Sequence, residues 1–331
     1  MPTGRRALAL DVGGTKLAAG VVDGQGEVLA RHQVATPRTT DPEALFATVS
    51  ALLDEVRRRA GATVAAVGVG CGGPMSAGSG VVSPLNIPAW RDFPLVDRLR
   101  DRFDVPVALD NDAKALALAE GWVGAAAGRR NFLAMVVSTG VGGGIVLDGR
   151  LLDGADGNAG HIGHVIVEPD GRQCACGAQG CLEAEASGTA IAATTGRPAA
   201  EAGAAVRART GRLVGRAVAS VCNLLDLRLA CVAGSVALGY GEPFFVAARA
   251  ELDARARLEF SRGAVIVPGG LGHDGPLVGA AAVAWRALGH PILGDPSSAT
   301  PSPATPSSAT PSSATPSSAS PSSASPSSAG R

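Results

Sequence analysis

The chain has 331 residues, 46% of them hydrophobic and 18% charged, with acidic and basic side chains equal at 29 each. That much apolar material supports a substantial core in two domains of ordinary size. The balanced charge leaves no net field to favour nucleic acid or an anionic membrane, and no stretch reaches the roughly 18 uninterrupted apolar residues that cross a bilayer.

The opening MPTGRRALALDVGGTK sets two arginines before an apolar run, as a secretory signal does. Asp11 breaks that run and no small-residue cleavage site follows, so a cytoplasmic location is expected. Thiols stay reduced there, and clustered cysteines bind metal more often than they pair.

The stretch ALALDVGGTKLAAGVVDGQGEVLARH reads as strands separated by glycine turns. Asp11-Val12-Gly13-Gly14-Thr15-Lys16 follows the first strand; glycines let backbone N–H groups approach an anion, and the Thr15 hydroxyl adds a donor. Asp11 at the strand end suits a magnesium ion held through water. The segment DPEALFATVSALLDEVRRRAG predicts a helix with Asp41 as N-cap, and VAAVGVGCGG a strand entering a turn.

VPVALDNDAKALALAEGWVG then predicts a strand, a polar turn and a helix. Asp110-Asn111-Asp112 is a polar trio where α/β proteins place catalytic groups, although an Asx turn capping the helix needs the same residues. A carboxylate that takes a proton from an attacking hydroxyl could be Asp110 or Asp112; spacing does not choose. Lys16 and Lys114, the only lysines, both flank this candidate phosphate chemistry.

NFLAMVVSTGVGGGIVLDGRLL repeats the opening pattern, with Ser138-Thr139-Gly140 leading a second glycine turn. Two halves that each open on such a hairpin suggest a duplicated α/β fold with a cleft between them. Taken singly, each turn is equally explained by a tight hairpin. Neither matches the Walker pattern, which excludes a P-loop protein.

Three of the six cysteines and two of the five histidines fall within residues 161 to 183. Cys174, Cys176 and Cys181 supply three thiolates, and His164 or His161 would complete a four-ligand structural zinc site. Cys71, Cys222 and Cys231 stand alone in apolar contexts, as core residues do. From Asp295 the chain becomes a five-residue repeat of Pro, Ser, Ala and Thr with nothing large to bury, which predicts a disordered tail over 295–331.

With these motifs in place, residues 7 to 290 resemble the ROK family of bacterial sugar kinases and repressors. The resemblance implies a two-domain α/β fold, the actin-like ATPase (ribonuclease H-like) fold with a cleft between domains. Domains are expected over 1–116 and 117–274, with a closing helix near 275–290 packing back on the first. It implies an ATP-dependent hexose kinase with Mg2+ at the catalytic site and structural Zn2+, transferring the γ-phosphoryl to a sugar 6-hydroxyl. Glucose is the leading acceptor, with N-acetylmannosamine or N-acetylglucosamine the alternative.

Asn111-Asp112 falls on the family's Asn-Asp pair, which implies Asp112 as general base and Asn111 as a sugar ligand. Asp11, Gly13, Gly14, Thr15, Lys16, Thr139, Gly140 and Gly234 fall on ATP and phosphate motifs. Gly73 and Asn86 lie in sugar-pocket segments. CACGAQGCLE matches the family's cysteine signature, implying zinc on His164, Cys174, Cys176 and Cys181, with His164 and Glu183 also facing the sugar. The family usually reads G-E-I-G-H before the cysteines; here His161 replaces that glutamate. A carboxylate only accepts hydrogen bonds whereas a neutral imidazole donates one and accepts one, so sugar specificity is open and sugar affinity is expected to follow pH around ~6.5.

Repressors of the family carry an N-terminal helix-turn-helix, and with Asp11 so early in the sequence a repressor is not expected. A non-catalytic sugar-binding or regulatory member is the rival from another class, separable because it would bind sugar without turning over ATP. Similar proteins are commonly dimeric, so a homodimer is an expected assembly.

Overall fold

The computed structural model describes residues 4–293 apart from 62, 77 and 79; the tail expected over 295–331 lies outside the described residues. Strands β1 (Arg6–Val12), β2 (Lys16–Asp23) and β3 (Val28–Ala35) form an antiparallel meander, followed by helix α1 (Pro42–Ala60). Asp41 caps α1 by accepting from Glu43 N, and Gly61 ends it in the left-handed region. Then come β4 (Ala66–Cys71), the short pair β5 (Met75–Ser76) and β6 (Val81–Val82), α2 (Leu95–Phe103), β7 (Val107–Asn111) and α3 (Asp112–Trp122). β1, β4 and β7 run parallel, giving the sheet order β3-β2-β1-β4-β7.

The second half repeats this. β8 (Phe132–Val137), β9 (Val141–Leu147) and β10 (Arg150–Leu151) form another meander. After α4 (Leu182–Ala186), α5 (Gly188–Thr195) and α6 (Ala204–Leu225), strand β11 (Leu229–Ala233) pairs parallel to β8. Helices α7 (Ser235–Tyr240) and α8 (Glu242–Arg255) lead to β12 (Val265–Pro268), parallel to β11, and α9 (Gly275–Ala287) follows. The order β10-β9-β8-β11-β12 reproduces the first sheet strand for strand. The carboxyl ends of parallel strands are where α/β sheets place ligands, and each sheet has three of them.

Period-two alternation sorts each sheet's two faces. In β1, Leu8, Leu10 and Val12 join a core with α1 and α2, while Ala7 and Ala9 face a second core containing α9. In β8, Leu133, Met135 and Val137 meet α6 and α8, and Phe132 and Ala134 join the α9 core. Helix α9 thus packs on β1, β4 and β7 as well as on α3, and α3 packs on β8 and β9.

Small residues make that approach possible. A Cβ on Gly68 of β4 would collide with the carbonyl oxygen of Ala280 in α9, backbone that cannot swing aside. Gly68→Ala is therefore expected to destabilise by about 3 kcal/mol, a fall in Tm of roughly 6 °C. Gly203→Ala, where an added Cβ meets nothing, should leave Tm in place; equal melting curves for the two would refute the packing argument.

Candidate active site

At the end of β1, Gly13 N donates to Lys16 O at 3.1 Å, closing the first turn, and the end of β3 pins it from outside. There Thr36 Oγ1 donates to Gly13 O at 2.6 Å and Thr36 N to Thr15 O at 3.0 Å. Gly14 is glycine because a Cβ would strike the Asn86 side chain, so Asn86 lies directly against the turn. Gly73 joins the same corner, its carbonyl accepting from Leu85 N at 3.3 Å. Lys16 is exposed at the start of β2.

Asp11 sits in register with Gly70 of β4, which pairs with Asp110 of β7. The three parallel strands therefore bring Asp11, Cys71–Gly72 and Asn111–Asp112 to one edge. Burial pushes the Asp11 carboxyl up to about 7, and the Asp112 charge adds to this while Lys16 opposes it. A carboxyl at a strand end beside a second carboxylate, with its negative charge only partly offset by Lys16, fits a Mg2+ ligand.

A group raised in the folded state favours folding while protonated. Its contribution is complete below the unfolded value of 3.8 and is lost as pH rises to about 7. In Mg2+-free buffer Tm should fall from pH 5 to 7.5, with Asp11→Asn flattening the slope and Mg2+ stabilising more at pH 8 than at pH 6. A slope unchanged by Asp11→Asn would assign it elsewhere.

Asn111 and the helix cap coexist. Asn111 Oδ1 accepts from Ala113 N at 3.0 Å and Lys114 N at 3.4 Å, leaving its NH2 for another partner. Asp112 Oδ1 accepts from Ala113 N at 2.8 Å. Its side chain is open to solvent yet closely ringed by protein, and Gly72 approaches the other oxygen. Desolvation raises the Asp112 pKa, opposed by the Ala113 N–H and the His161 charge, so His161 lies within electrostatic reach of the carboxylate.

Asp110 is a structural partner: its Oδ1 accepts from Asn111 N at 2.8 Å and meets Lys114 Nζ at 3.2 Å. Lys114 does not face the phosphate turns as its sequence position suggested. It is 3% exposed and held among Asp110, Asp153 and Gly157 O, because α3 is buried on all sides over residues 113–121.

The second turn lies at the equivalent edge of the other sheet. Ser138 N donates to Gly140 O at 2.9 Å. Glu183 Oε2 accepts from Val141 N at 2.9 Å, so in this structure Glu183 braces the turn. Thr189 N and Oγ1 both donate to Thr139 O, at 3.2 and 2.9 Å. Gly234 ends β11 with φ 99°, a conformation glycine alone adopts readily, and a Cβ there would strike Val137 O. It delivers Ser235, whose Oγ lies 2.9 Å from Ser138 Oγ. Ser138 belongs to the second turn already singled out in the sequence; Ser235 and Thr189 were missed by sequence reasoning, Ser235 standing inside a glycine-turn segment and Thr189 carrying no signal. Ala113 touches Gly142, and Lys114 and Ala117 touch Gly144, so the N-terminal turn of α3 seats Asp112 beside the second turn.

His164, Cys174, Cys176 and Cys181 gather with their ligand atoms all within 4.8 Å of one another. Cys176 Sγ and Cys181 Sγ lie 3.7 Å apart, and Cys174 Sγ lies 3.8 Å from His164 Nδ1. These separations exceed a disulfide bond and match the edges of about 3.8 Å of a tetrahedron with Zn–S bonds of ~2.3 Å. His164 is thus the fourth member of the cluster, while the His161 ring sits 6.0 Å away, centroid to centroid. Glu185, 2% exposed, accepts from Arg172 N at 2.6 Å and pairs with Arg209 at 2.6 Å, fastening the cysteine loop to α6.

The profile of the ROK family matches residues 7–287. An N-acetylmannosamine kinase of Yersinia pseudotuberculosis is 39% identical over 252 residues, covering 71% of this chain and 85% of that protein. A ROK hexokinase from Thermus thermophilus superposes with TM-score 0.73 at 34% identity, over 86% of this chain and 99% of that one. A ROK family glucokinase from Streptomyces griseus, in complex with glucose and AMPPNP, gives TM-score 0.74 at 31% identity, over 85% and 99%.

Proposed function

The chain belongs to the ROK family of sugar kinases and has their actin-like ATPase fold, and from that premise we propose that it phosphorylates a hexose 6-hydroxyl with ATP, using Asp112 as general base. The observation carrying this is the carboxylate of Asp112, anchored through one oxygen to Ala113 N beside Gly70 and Gly72, on a helix start whose Ala113 packs against Gly142 of the second glycine turn. Asp112 takes the hydroxyl proton as the sugar oxygen attacks the γ-phosphorus. The bond to the bridging oxygen breaks, and ADP leaves.

Backbone N–H groups of Gly14, Thr15 and Gly140, with the Thr139 hydroxyl, would hold the triphosphate. Asp11 would hold Mg2+, which supplies charge neutralisation on the phosphates. Asn86, Asn111 and His161 would bind the acceptor sugar. Zn2+ on His164, Cys174, Cys176 and Cys181 would fix the loop carrying those histidines.

N-acetylmannosamine is the preferred acceptor, ahead of glucose and N-acetylglucosamine. The Yersinia relative bears that name, and His161 supplies an N–H donor where the usual glutamate could only accept. An acetamido carbonyl, itself only an acceptor, gains a partner from the imidazole.

The experiment is sugar-dependent ADP release from Mg-ATP across N-acetylmannosamine, N-acetylglucosamine, glucose, mannose and fructose. The highest kcat/KM is expected on N-acetylmannosamine; a preference for glucose would reverse the acceptor order, and no turnover on any sugar would remove the kinase reading.

A further inference from the structure

Lys114 occupies a position where a charge is expensive unless fully partnered, on the buried face of α3 at 3% exposure. It is fully partnered. Nζ donates hydrogen bonds to Asp153 Oδ1 at 2.7 Å and Gly157 O at 3.0 Å, and forms an ion pair with Asp110 Oδ1 at 3.2 Å. Arg286 of α9 completes the cluster, 3.1 Å from Asp153 and 3.7 Å from Asp110, so two cations face two carboxylates.

These contacts tie together segments that are remote in sequence. Asp110 bonds Asn111 N, and Asn111 caps the helix that begins with Asp112. Asp153 and Gly157 belong to a loop closed by Ala159 N donating to Asp153 O at 3.0 Å. That loop runs straight into Gly160, packed on Gly143 of the second glycine-turn strand, and then into His161. Desolvation works against the Asp153 carboxylate, but the Lys114 hydrogen bond and charge still hold it below the usual range.

We propose that Lys114 is a positioning residue for the acceptor sugar, fixing the loop that carries His161 against the strand end that carries Asn111 and Asp112. The inference rests on the kinase reading above. The polar partners of Lys114 and Asp153 lie outside both glycine turns, and Lys114 meets Gly144 only through its backbone, so the proposal separates acceptor from nucleotide: loss of the link displaces His161 relative to Asp112 and leaves the ATP side in place.

The test is steady-state kinetics of Lys114→Met and Asp153→Ala, with both KM values, zinc content and Tm. Asp153 is half-exposed at 49%, and its truncation to alanine removes both carboxylate oxygens and so breaks the same link without opening the core. Each variant should raise sugar KM and lower kcat by about tenfold, since small misplacements cost up to ~10²-fold. ATP KM should stay within twofold and zinc at one per chain. The double variant should be no worse than Lys114→Met alone, as expected for one shared interaction.

Sugar and ATP KM rising together, or Tm falling with sugar KM and kcat unchanged, would make the cluster a purely structural one and overturn the proposal. A wild type inactive on every sugar sinks the kinase reading instead, and calorimetric sugar affinities of the same variants then carry the comparison.

Discussion

Asp112→Asn is expected to lower kcat by about 10³-fold, the middle of the range a positioned proton acceptor contributes, with both KM values within threefold of wild type. The reason lies in how the side chain is held. Asp112 Oδ1 accepts from Ala113 N, and an asparagine oxygen can accept the same bond, so the start of α3 keeps its cap and its place beside Gly142. What the amide cannot do is take the hydroxyl proton. A variant retaining more than a tenth of kcat would mean that the proton leaves by another route.

The same carboxylate fixes a pH dependence. Desolvation raises its pKa, and only the ionised form is a base, so kcat/KM should climb with pH as Asp112 loses its proton. The His161 charge pulls that pKa down. His161→Gln removes that influence and should move the rising limb to higher pH; an unmoved limb would place His161 out of reach of the base.

Removal of metal from the cysteine loop is the second large effect. Cys181 is fully buried and Cys174 nearly so, and the four ligand atoms are already gathered. A site saturated a thousandfold above its Kd stabilises the fold by about 4 kcal/mol, or roughly 8 °C in Tm for a chain of this size. A strong chelator, or Cys181→Ser, should lower Tm by about that amount and release one zinc per chain. Sugar KM should rise further than ATP KM, because the loop carries His161 and His164 and not the first glycine turn. Elemental analysis finding no zinc in protein grown with it, or an unchanged Tm after chelation, would rule the site out.

Much of this was readable along the chain because it is local. DPEALFATVSALLDEVRRRAG carries its own start and stop, and α1 runs from an Asp41 cap to a left-handed Gly61. The glycine turns announce themselves because only glycine tolerates Asn86 against Gly14 or Val137 O against Gly234. Cys174, Cys176 and Cys181 lie within eight residues, so their convergence needs only a loop fold. The repeat of a hairpin and then parallel strands foretold two sheets of one topology.

What depended on pairing distant segments was not readable. Whether His161 or His164 joins the thiols turns on one short 3-10 turn packed against β9 and α4. Glu183 reaches Val141 N across 42 residues, and Ser138 meets Ser235 across 97. Lys114 looked like a phosphate ligand beside Asp112, but α3 is enclosed by α9 and by β8 and β9. That turns its side chain to Asp153, 39 residues on. Sequence fixes which groups are available and where the backbone turns; burial from all sides decides which of them a buried charge must choose as partner, because an unpaired one is too costly to keep.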